Sequence, residues 1–325
     1  MRRAHLRGGL AAVALVAAAT LAPQVASAAQ APPMLTYTFK PKDIGYQAPM
    51  KPVTHIADII AEHRGQSDWE HPVVKDPWFF IQYVQMASGK KTPVKMQSDT
   101  IAWFIINSGQ VRFNFKDHEP ILAGVDSMVS IPARTPYWIE TVGDEPSIRF
   151  EVQNAQVGHV FPVADNATPP VAPDGYETVQ VNCSCNQASL AGAKPRFFDY
   201  GAWARANPTA TQRPPFPDTD DTFFVRDANG FMTMSRSMGV PMPPPEVIGH
   251  FHMGLAEWWY ALEGDMATRI EGVGDVFAKH GDIIYAPRGA YHQTVMIGKP
   301  STRTPAGKTG VNDAGASFSK PGAAD

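Results

Sequence analysis

One stretch, residues 249–292, limits what this chain can fold into more than any other part of it. His250 and His252 are two residues apart, so on a β-strand both imidazoles leave the same face. Glu257 follows a short turn, which allows it to lie on the antiparallel neighbouring strand, and His292 ends the stretch. Three imidazoles and one carboxylate that converge from several strands suit a divalent transition metal. The stretch therefore predicts a β-structure that surrounds a metal site.

Two motifs in this stretch resemble the signature motifs of the cupin superfamily. The first has the form G-HxH-x4-E-x6-G and the second has the form G-x5-P-x-G-x2-H. The matching residues are Gly249, His250, His252, Glu257 and Gly264 in the first motif and Gly281, Pro287, Gly289 and His292 in the second. Where the family has an asparagine four residues after the last histidine, this chain has Met296. The resemblance covers about one domain and implies a small β-barrel with a metal at its mouth.

An earlier part of the chain repeats this unit in altered form. When the second unit is shifted back by 155 residues, three of its residues align with identical residues of the earlier part. Gly264 aligns with Gly109, Pro287 with Pro132 and Trp258 with Trp103. The ligand positions change under the same shift: His250 falls on Lys95, His252 on Gln97, Glu257 on Ala102 and His292 on Tyr137. This second set is a poor one for a transition ion. We therefore expect a first barrel that is structural or frames the substrate, and a second barrel that binds the metal.

The strand after the first motif is apolar or aromatic on both faces, with Trp259 and Ala261 on the face of Glu257 and Trp258 and Tyr260 on the other. A strand of this kind is covered on both sides. Two barrels stacked back to back would cover it, which is the bicupin arrangement that the resemblance implies. The predicted fold class is all-β, with two cupin barrels (double-stranded β-helix or jelly roll) and a few short peripheral helices.

The predicted organisation has six segments. They are a signal peptide (1–28), an N-terminal arm with a helix (29–77), a degenerate cupin barrel (78–160), a connector (161–222), a metal-binding cupin barrel (223–298) and a disordered tail (299–325). We expect helices over Thr54–Arg64 and Asp199–Asn207, and a hairpin with an Asn-Gly turn over Phe223–Met234. The connector holds Cys183 and Cys185, for which both a strained disulfide and a free pair remain open.

The first residues combine a basic start, an apolar run at 10–21 and an Ala-Ser-Ala cleavage pattern at 26–28. They predict a secreted or periplasmic product without a membrane span after signal cleavage. The chain of 325 residues carries a formal net charge of −3, which does not suit a nucleic-acid-binding surface. We expect a small-molecule substrate, and the resemblance implies association into a homo-oligomer.

His250, His252, Glu257 and His292 are predicted to hold one divalent transition metal, and Glu257 is also the candidate catalytic residue. We favour Fe(II) or Mn(II), with Zn, Ni and Cu as alternatives, and predict no binding site for an organic cofactor. The substrate pocket is expected to be lined by Trp259, Ala261, Thr294, Met296 and Arg288. His55, His63 and His71 recur at intervals of eight residues but are expected to be surface or capping residues.

Similar bicupins include dioxygenases that cleave aromatic or flavonol rings and enzymes that degrade oxalate. The aromatic and methionine-rich surroundings of the motifs favour a dioxygenase or other oxidoreductase that acts on a small aromatic or oxygen-chelating substrate. One alternative is a metal-dependent lyase, decarboxylase or isomerase acting on a sugar acid or keto acid. Another is a non-catalytic secreted binding protein, against which the complete ligand set counts.

Overall fold

The structure of the chain is a computed structural model. It describes residues 40, 45–155, 159–166, 168, 170–172, 177–180, 193–211, 216, 223–227, 229–307 and 318–319. These belong to one compact unit, Thr38–Asp325. The predicted signal peptide and both cysteines lie outside the described residues.

The described residues of the first half of the chain form one short helix and nine strands. They are β1 (Val53–Thr54), α1 (Ile56–Glu62), β2 (Trp69–Lys75), β3 (Phe79–Met86), β4 (Ala102–Ser108), β5 (Gln110–Phe115), β6 (Ile121–Ala123), β7 (Ser127–Ile131), β8 (Tyr137–Val142) and β9 (Ser147–Asn154).

The described residues of the second half form one short helix and twelve strands. Its elements are β10 (Arg196–Asp199), α2 (Tyr200–Ala206), β11 (Val225–Arg226), β12 (Phe231–Met232), β13 (Ser235–Ser237), β14 (His250–Phe251), β15 (Glu257–Glu263), β16 (Met266–Ile270), β17 (Gly274–Ala278), β18 (Ile283–Ala286), β19 (His292–Met296), β20 (Ser301–Gly307) and β21 (Phe318–Ser319).

The strands form two barrels, and each barrel consists of one larger and one smaller sheet. In the first barrel the larger sheet has the order β10-β7-β4-β9-β3-β2, and the smaller sheet has the order β6-β5-β8. In the second barrel the corresponding orders are β1-β18-β15-β20-β12-β11, with β13 also on β20, and β17-β16-β19-β14-β21. The predicted all-β class with two barrels and short helices is therefore confirmed.

Backbone conformation confirms that the two barrels are copies of one unit. Arg134 has a φ of +63°, at the position where the second barrel has Gly289 with a φ of +82°. Such a φ is uncommon for residues other than glycine. The N–H of Arg134 donates to the carbonyl of Gln97 at 2.7 Å, as the N–H of Gly289 donates to that of His252 at 2.8 Å. The first barrel thus keeps the backbone of the motif after losing its glycine and its ligands.

Each barrel receives one strand from the segment that precedes the other barrel. Strand β1 leads into the first barrel but pairs with β18 of the second, while β10 leads into the second barrel but pairs with β7 of the first. Helices α1 and α2 follow these two strands. Residues 53–54 of the predicted arm and residues 196–199 of the predicted connector therefore belong to the sheets.

The predicted helix at 54–64 is present as α1, but its N-cap residue is His55 and not Thr54. The side chain of His55 makes no capping hydrogen bond. Asp282 of the second barrel supplies the cap instead, because its carboxylate accepts from the N–H of Ile56 at 2.9 Å and contacts His55 Nδ1 at 2.7 Å. The second helix, α2, is confirmed, and the Asp199 carboxylate accepts from the N–H of Ala202 at its start.

Two boundaries predicted from the sequence are wrong. The first barrel begins at β2 and not at residue 78, since β2 pairs with β3 along its length. The second barrel continues past residue 298, because β20 pairs with β15, β12 and β13, so residues 301–307 are not a disordered tail. The hairpin predicted over Phe223–Met234 is confirmed by the pairing of β11 with β12. Among the described residues, no helix has the length and apolar character needed to cross a bilayer.

The outer faces of the two larger sheets share one apolar core. Trp103 of β4 and Trp258 of β15 stack at its centre, with ring centroids 5.4 Å apart and planes 12° apart. Phe150, Tyr260 and Leu262 belong to the same core. The faces of β15 that carry Trp258 and Trp259 are therefore covered by the other barrel and by the barrel interior, respectively, as the sequence predicts.

Replacing Trp258 by alanine is expected to lower the free energy of unfolding by about 3–5 kcal/mol, because it removes a wholly buried indole between the barrels. Urea denaturation measures this loss. Phe277→Ala is the matched aromatic control: its side chain is 57% exposed, so the change should stay within about 0.5 kcal/mol. Equal losses in both variants would contradict the shared core.

Candidate metal centre

Four side chains with metal-binding groups meet in the second barrel. His250 lies on β14, His252 follows β14 directly, Glu257 begins β15 and His292 begins β19. Glu257 Oε2 is 3.0 Å from His252 Nε2 and 3.1 Å from His292 Nε2. One donor atom from each of the four residues lies within 4.8 Å of the others. The structure therefore brings together all four residues predicted as ligands.

Strand pairing sets these positions. His250 and His292 are direct partners across β14 and β19. The N–H of Gly289 holds the carbonyl of His252 at 2.8 Å, which fixes the residue just beyond β14. Because side chains alternate along a strand, a slip of one residue in either pair would turn an imidazole away from the group.

A backbone carbonyl orients the imidazole of His292. Its Nδ1 lies 2.9 Å from the carbonyl oxygen of Ala290. A carbonyl only accepts, so Nδ1 donates to it, and Nε2 is the ring nitrogen that faces Glu257. Metal-binding histidines are oriented in this way by the hydrogen bond of their other ring nitrogen.

The carboxylate of Glu257 is largely buried, with 13% of its side chain exposed. Burial raises its pKa, but hydrogen bonds with His252 and His292 outweigh this and hold the pKa of Glu257 well below its usual range. Ligand atoms that bind one ion at about 2.1 Å lie about 3 Å apart, which is the spacing of this carboxylate oxygen from the two imidazoles. The residues present therefore fit one divalent cation.

Two of the residues predicted to line a substrate pocket belong to the apolar cluster beside this group. Trp259 is buried, and its ring centroid is 5.1 Å from that of His292 in an edge-on arrangement. Ala261 lies in the same cluster. Both residues share a face of β15 with Glu257, so this part of the predicted pocket wall is next to the ligands.

The other three predicted pocket residues differ in exposure. Thr294 and Met296 are half-buried on β19, and strand alternation places them on the same face as His292. Arg288 is exposed in the turn that leads to Gly289. A role for these three in binding substrate stays a prediction.

Arg303 is a residue of this barrel that the sequence analysis missed. It lies on β20 directly opposite Ala261, so its side chain leaves the sheet on the face of Glu257 and Trp259. Its Nη1 donates to the carbonyl of Thr294 at 3.2 Å, while its buried Nε has no hydrogen-bond partner among the described residues. Burial lowers the pKa of Arg303, and the charge of Glu257 opposes this shift. A cation with unused donors therefore lies near the ligand group.

The first barrel has a polar cluster at the positions of the ligands. Lys95 and Tyr137 pair by backbone hydrogen bonds, as His250 and His292 do. Lys95 Nζ is 3.0 Å from His159 Nε2, and Gln97 Nε2 is 2.9 Å from His159 Nδ1. Amine, amide and phenol groups stand at the positions of the three imidazoles, and Ala102 stands at the position of Glu257.

A buried ion pair between two residues of β9 lies in the interior of the first barrel. Arg149 Nε donates to Glu151 Oε1 at 2.6 Å, and both side chains are at least 96% buried. Burial raises the pKa of Glu151, but the charges of Arg149 and Lys95 outweigh this and lower it to about 2. The pair is therefore charged at neutral pH.

Glu151→Gln should destabilise the chain by about 3–5 kcal/mol at pH 7, because it leaves the buried guanidinium of Arg149 unpaired. The Glu151 pKa is lower in the folded chain than its ordinary 4.5, so this contribution is full above pH 4.5 and is lost as the pH falls towards 2. Urea denaturation across this range should show the free energies of unfolding of the wild type and of Glu151→Gln converging as the pH falls. Asp275→Asn, which breaks the partly exposed pair with Arg269, is the control and should cost at most about 1 kcal/mol.

His55, His63 and His71 do not act as one group. His55 and His63 are the N-cap and C-cap residues of α1, as the capping expectation allows. His71 lies on β2 with its Nδ1 3.1 Å from His63 Nε2, and with Glu62 these two form a second set of donors within 4.8 Å. A hydrogen bond between the two imidazoles accounts for their approach.

No protein-family profile matches the chain, and no curated protein matches its sequence. A cupin 2 conserved barrel domain protein from Leptotrichia buccalis is structurally similar, with a TM-score of 0.50 and 9% identity over 79% of this chain and 96% of that one. A salicylate 1,2-dioxygenase from Pseudaminobacter salicylatoxidans is similar with a TM-score of 0.54 and 10% identity, over 83% of this chain and 86% of that one. At such identities the likeness shows the fold, which is the one that the two motifs predict.

Proposed function

We propose that this chain, which has the bicupin fold of the cupin superfamily, is a metal-dependent oxidoreductase of the dioxygenase type with a small aromatic or other oxygen-chelating substrate. The observation that carries the proposal is the convergence of three imidazoles and one carboxylate within 4.8 Å. The salicylate 1,2-dioxygenase of similar fold supports an aromatic substrate.

His250, His252, Glu257 and His292 would hold the ion, with Fe(II) or Mn(II) favoured and Zn, Ni and Cu as alternatives. When bound, such an ion supplies Lewis acidity and open positions for oxygen donors. Mixed imidazole and carboxylate ligation without a thiolate is typical of sites that keep such positions.

The protein groups around the ion have their own roles. The Ala290 carbonyl orients the ring of His292 so that Nε2 faces Glu257, and hydrogen bonds with two imidazoles hold the pKa of Glu257 well below its usual range. Trp259 and the neighbouring apolar cluster exclude water from one side of the ligand group. Water exclusion strengthens the electrostatic interactions of groups held in such a place.

Oxygen uptake by the metal-loaded protein tests the proposal. We expect uptake with at least one class among catechols, flavonols and β-diketones, and no uptake with the His252→Ala variant. Anaerobic turnover of keto acids or sugar acids without oxygen uptake would replace the proposal by a lyase, decarboxylase or isomerase. Tight metal binding without turnover of any of these compounds would replace it by a binding protein.

We also propose a secreted or periplasmic location, on the pattern of residues 1–28, and self-association into a homo-oligomer, on the analogy with cupins. Fractionation of the producing cells and light scattering of the purified chain test these two proposals.

A further inference from the structure

The interiors of the two barrels carry an arginine at the same place. Arg149 lies opposite Ile106 in the first barrel, and Arg303 lies opposite Ala261 in the second. Ile106 and Ala261 are related by the 155-residue shift. The two guanidinium groups therefore enter corresponding interiors from corresponding strands, β9 and β20.

The two arginines differ in what neutralises them. Two residues after Arg149, Glu151 accepts its hydrogen bond at 2.6 Å. The corresponding residue of the second barrel is Pro305, which lies opposite Trp259 as Glu151 lies opposite Phe104. Within the described part of the chain, Arg303 has no carboxylate partner within salt-bridge distance, and its buried Nε is unpaired. The second barrel thus keeps the cation and lacks the internal anion.

The charge of Glu257 acts on Arg303 from within the ligand group. Glu257 Oε2 is already engaged by His252 and His292. Buried guanidinium groups are normally paired, and their planar fork of donors matches a carboxylate. The side chain of Arg303 is half-buried, and its Nε has no hydrogen-bond partner among the described residues, so the guanidinium has a donor left for an anion that enters the barrel.

We propose that Arg303 binds the carboxylate of the substrate, so that a small organic acid supplies in the second barrel the anion that Glu151 supplies in the first. This rests on the proposed function, since it places a substrate beside the metal group. It assigns the substrate class as a carboxylic acid with a second oxygen donor for the metal. Arg303, and not the exposed Arg288, is the residue that selects for the acid.

Calorimetric titration of the metal-loaded protein tests the inference through binding, without a need for turnover. The probes are two matched pairs: 2-hydroxybenzoate against 2-hydroxybenzamide, and pyruvate against methyl pyruvate. We expect the wild-type chain to bind at least one acid about 10- to 100-fold more tightly than its uncharged partner, as a charged hydrogen-bonded pair provides. Arg303→Gln should abolish that preference, and Arg303→Lys should keep part of it.

Two further variants complete the test. Arg269→Gln removes a partly exposed arginine of the same barrel, paired with Asp275, and should leave the preference unchanged. Pro305→Glu keeps Arg303 but restores the internal carboxylate found in the first barrel, so it should weaken acid binding by about the same factor as Arg303→Gln. Metal content, measured in every variant, should match the wild type.

The inference is overturned if the wild type binds neither acid more tightly than its partner, or if both Arg303→Gln and Pro305→Glu retain the preference. Should Arg303→Gln fail to fold, Pro305→Glu alone decides. Acid binding that depends on Arg303 without oxygen uptake would uphold this inference and remove the proposed oxidation. Oxygen uptake that is unchanged in both variants would uphold the proposed oxidation and overturn this inference.

Discussion

His252→Ala is expected to lower the affinity for the metal by more than about 100-fold and to abolish turnover. Loss of an outer hydrogen-bond partner of a ligand typically costs about 10- to 100-fold in metal affinity, and His252 is itself a ligand candidate. The same change removes one of the two imidazoles that hydrogen-bond to Glu257. Metal competition with a chelator and metal analysis of the dialysed protein measure the effect.

His280→Ala is the matched control, because His280 belongs to the same barrel but pairs with Asp126 at 2.7 Å, outside the ligand group. Its metal content should equal that of the wild type. If His252→Ala and His280→Ala bind metal equally well, the ligand assignment is wrong.

Gly249→Ala is expected to disrupt the group of four candidate ligands although it changes none of their side chains. Gly249 has a φ of +75°, and an added Cβ would lie 1.9 Å from the carbonyl oxygen of His292. The clash is with backbone, so β14 must move away from β19 and carry His250 with it. We expect at least about 10-fold weaker metal binding, and a stability loss beyond the roughly 1 kcal/mol that positive φ alone costs an alanine.

Gly272→Ala separates these two effects. Gly272 has a φ of +76°, but an added Cβ would meet no atom within 4 Å. This variant should lose only the conformational part of the stability and should bind metal normally. Chemical denaturation and metal titration of both variants give the comparison, and indistinguishable results would show that the close approach of Gly249 to His292 is not needed.

The convergence of His250, His252, Glu257 and His292 was predictable because its signal is local. The spacing of His250 and His252 sets their common face, and the glycines and proline of the second motif set the turn before His292. These constraints act within a few residues and do not depend on the rest of the fold. The repeat was predictable for the same reason, since Gly109 and Gly264 keep positive φ at one place in both barrels.

The exchange of β1 and β10 between the barrels could not be predicted from the sequence. Strand β1 has two residues and β10 has four, which is too short for an alternating pattern to identify either. The partner of each strand is decided by where the chain emerges from the other barrel. Backbone pairing and the capping of α1 by Asp282 secure the β1 segment, and neither is visible in local composition.

Arg303 escaped prediction because β20, Ser301–Gly307, has small and polar residues and a proline, and lacks large apolar residues. Both barrels have a register shift in the strand that pairs with the last one, between Ile106 and Ser108 and between Ala261 and Glu263. The repeat distance changes from 155 to 154 residues before the last strand, because Ser301 follows His292 by nine residues whereas Ser147 follows Tyr137 by ten, so Arg149 and Arg303 fall out of alignment. Strand pairing in the structure restores the match.

Crystals of the purified protein would test the central claim most directly, through an anomalous difference map recorded at the absorption edge of the metal found by elemental analysis. We predict one strong peak per chain, bounded by His250, His252, Glu257 and His292 at about 2.0–2.2 Å from their donor atoms. A map with the peak elsewhere, or with no peak between these four residues in metal-loaded crystals, would contradict the account.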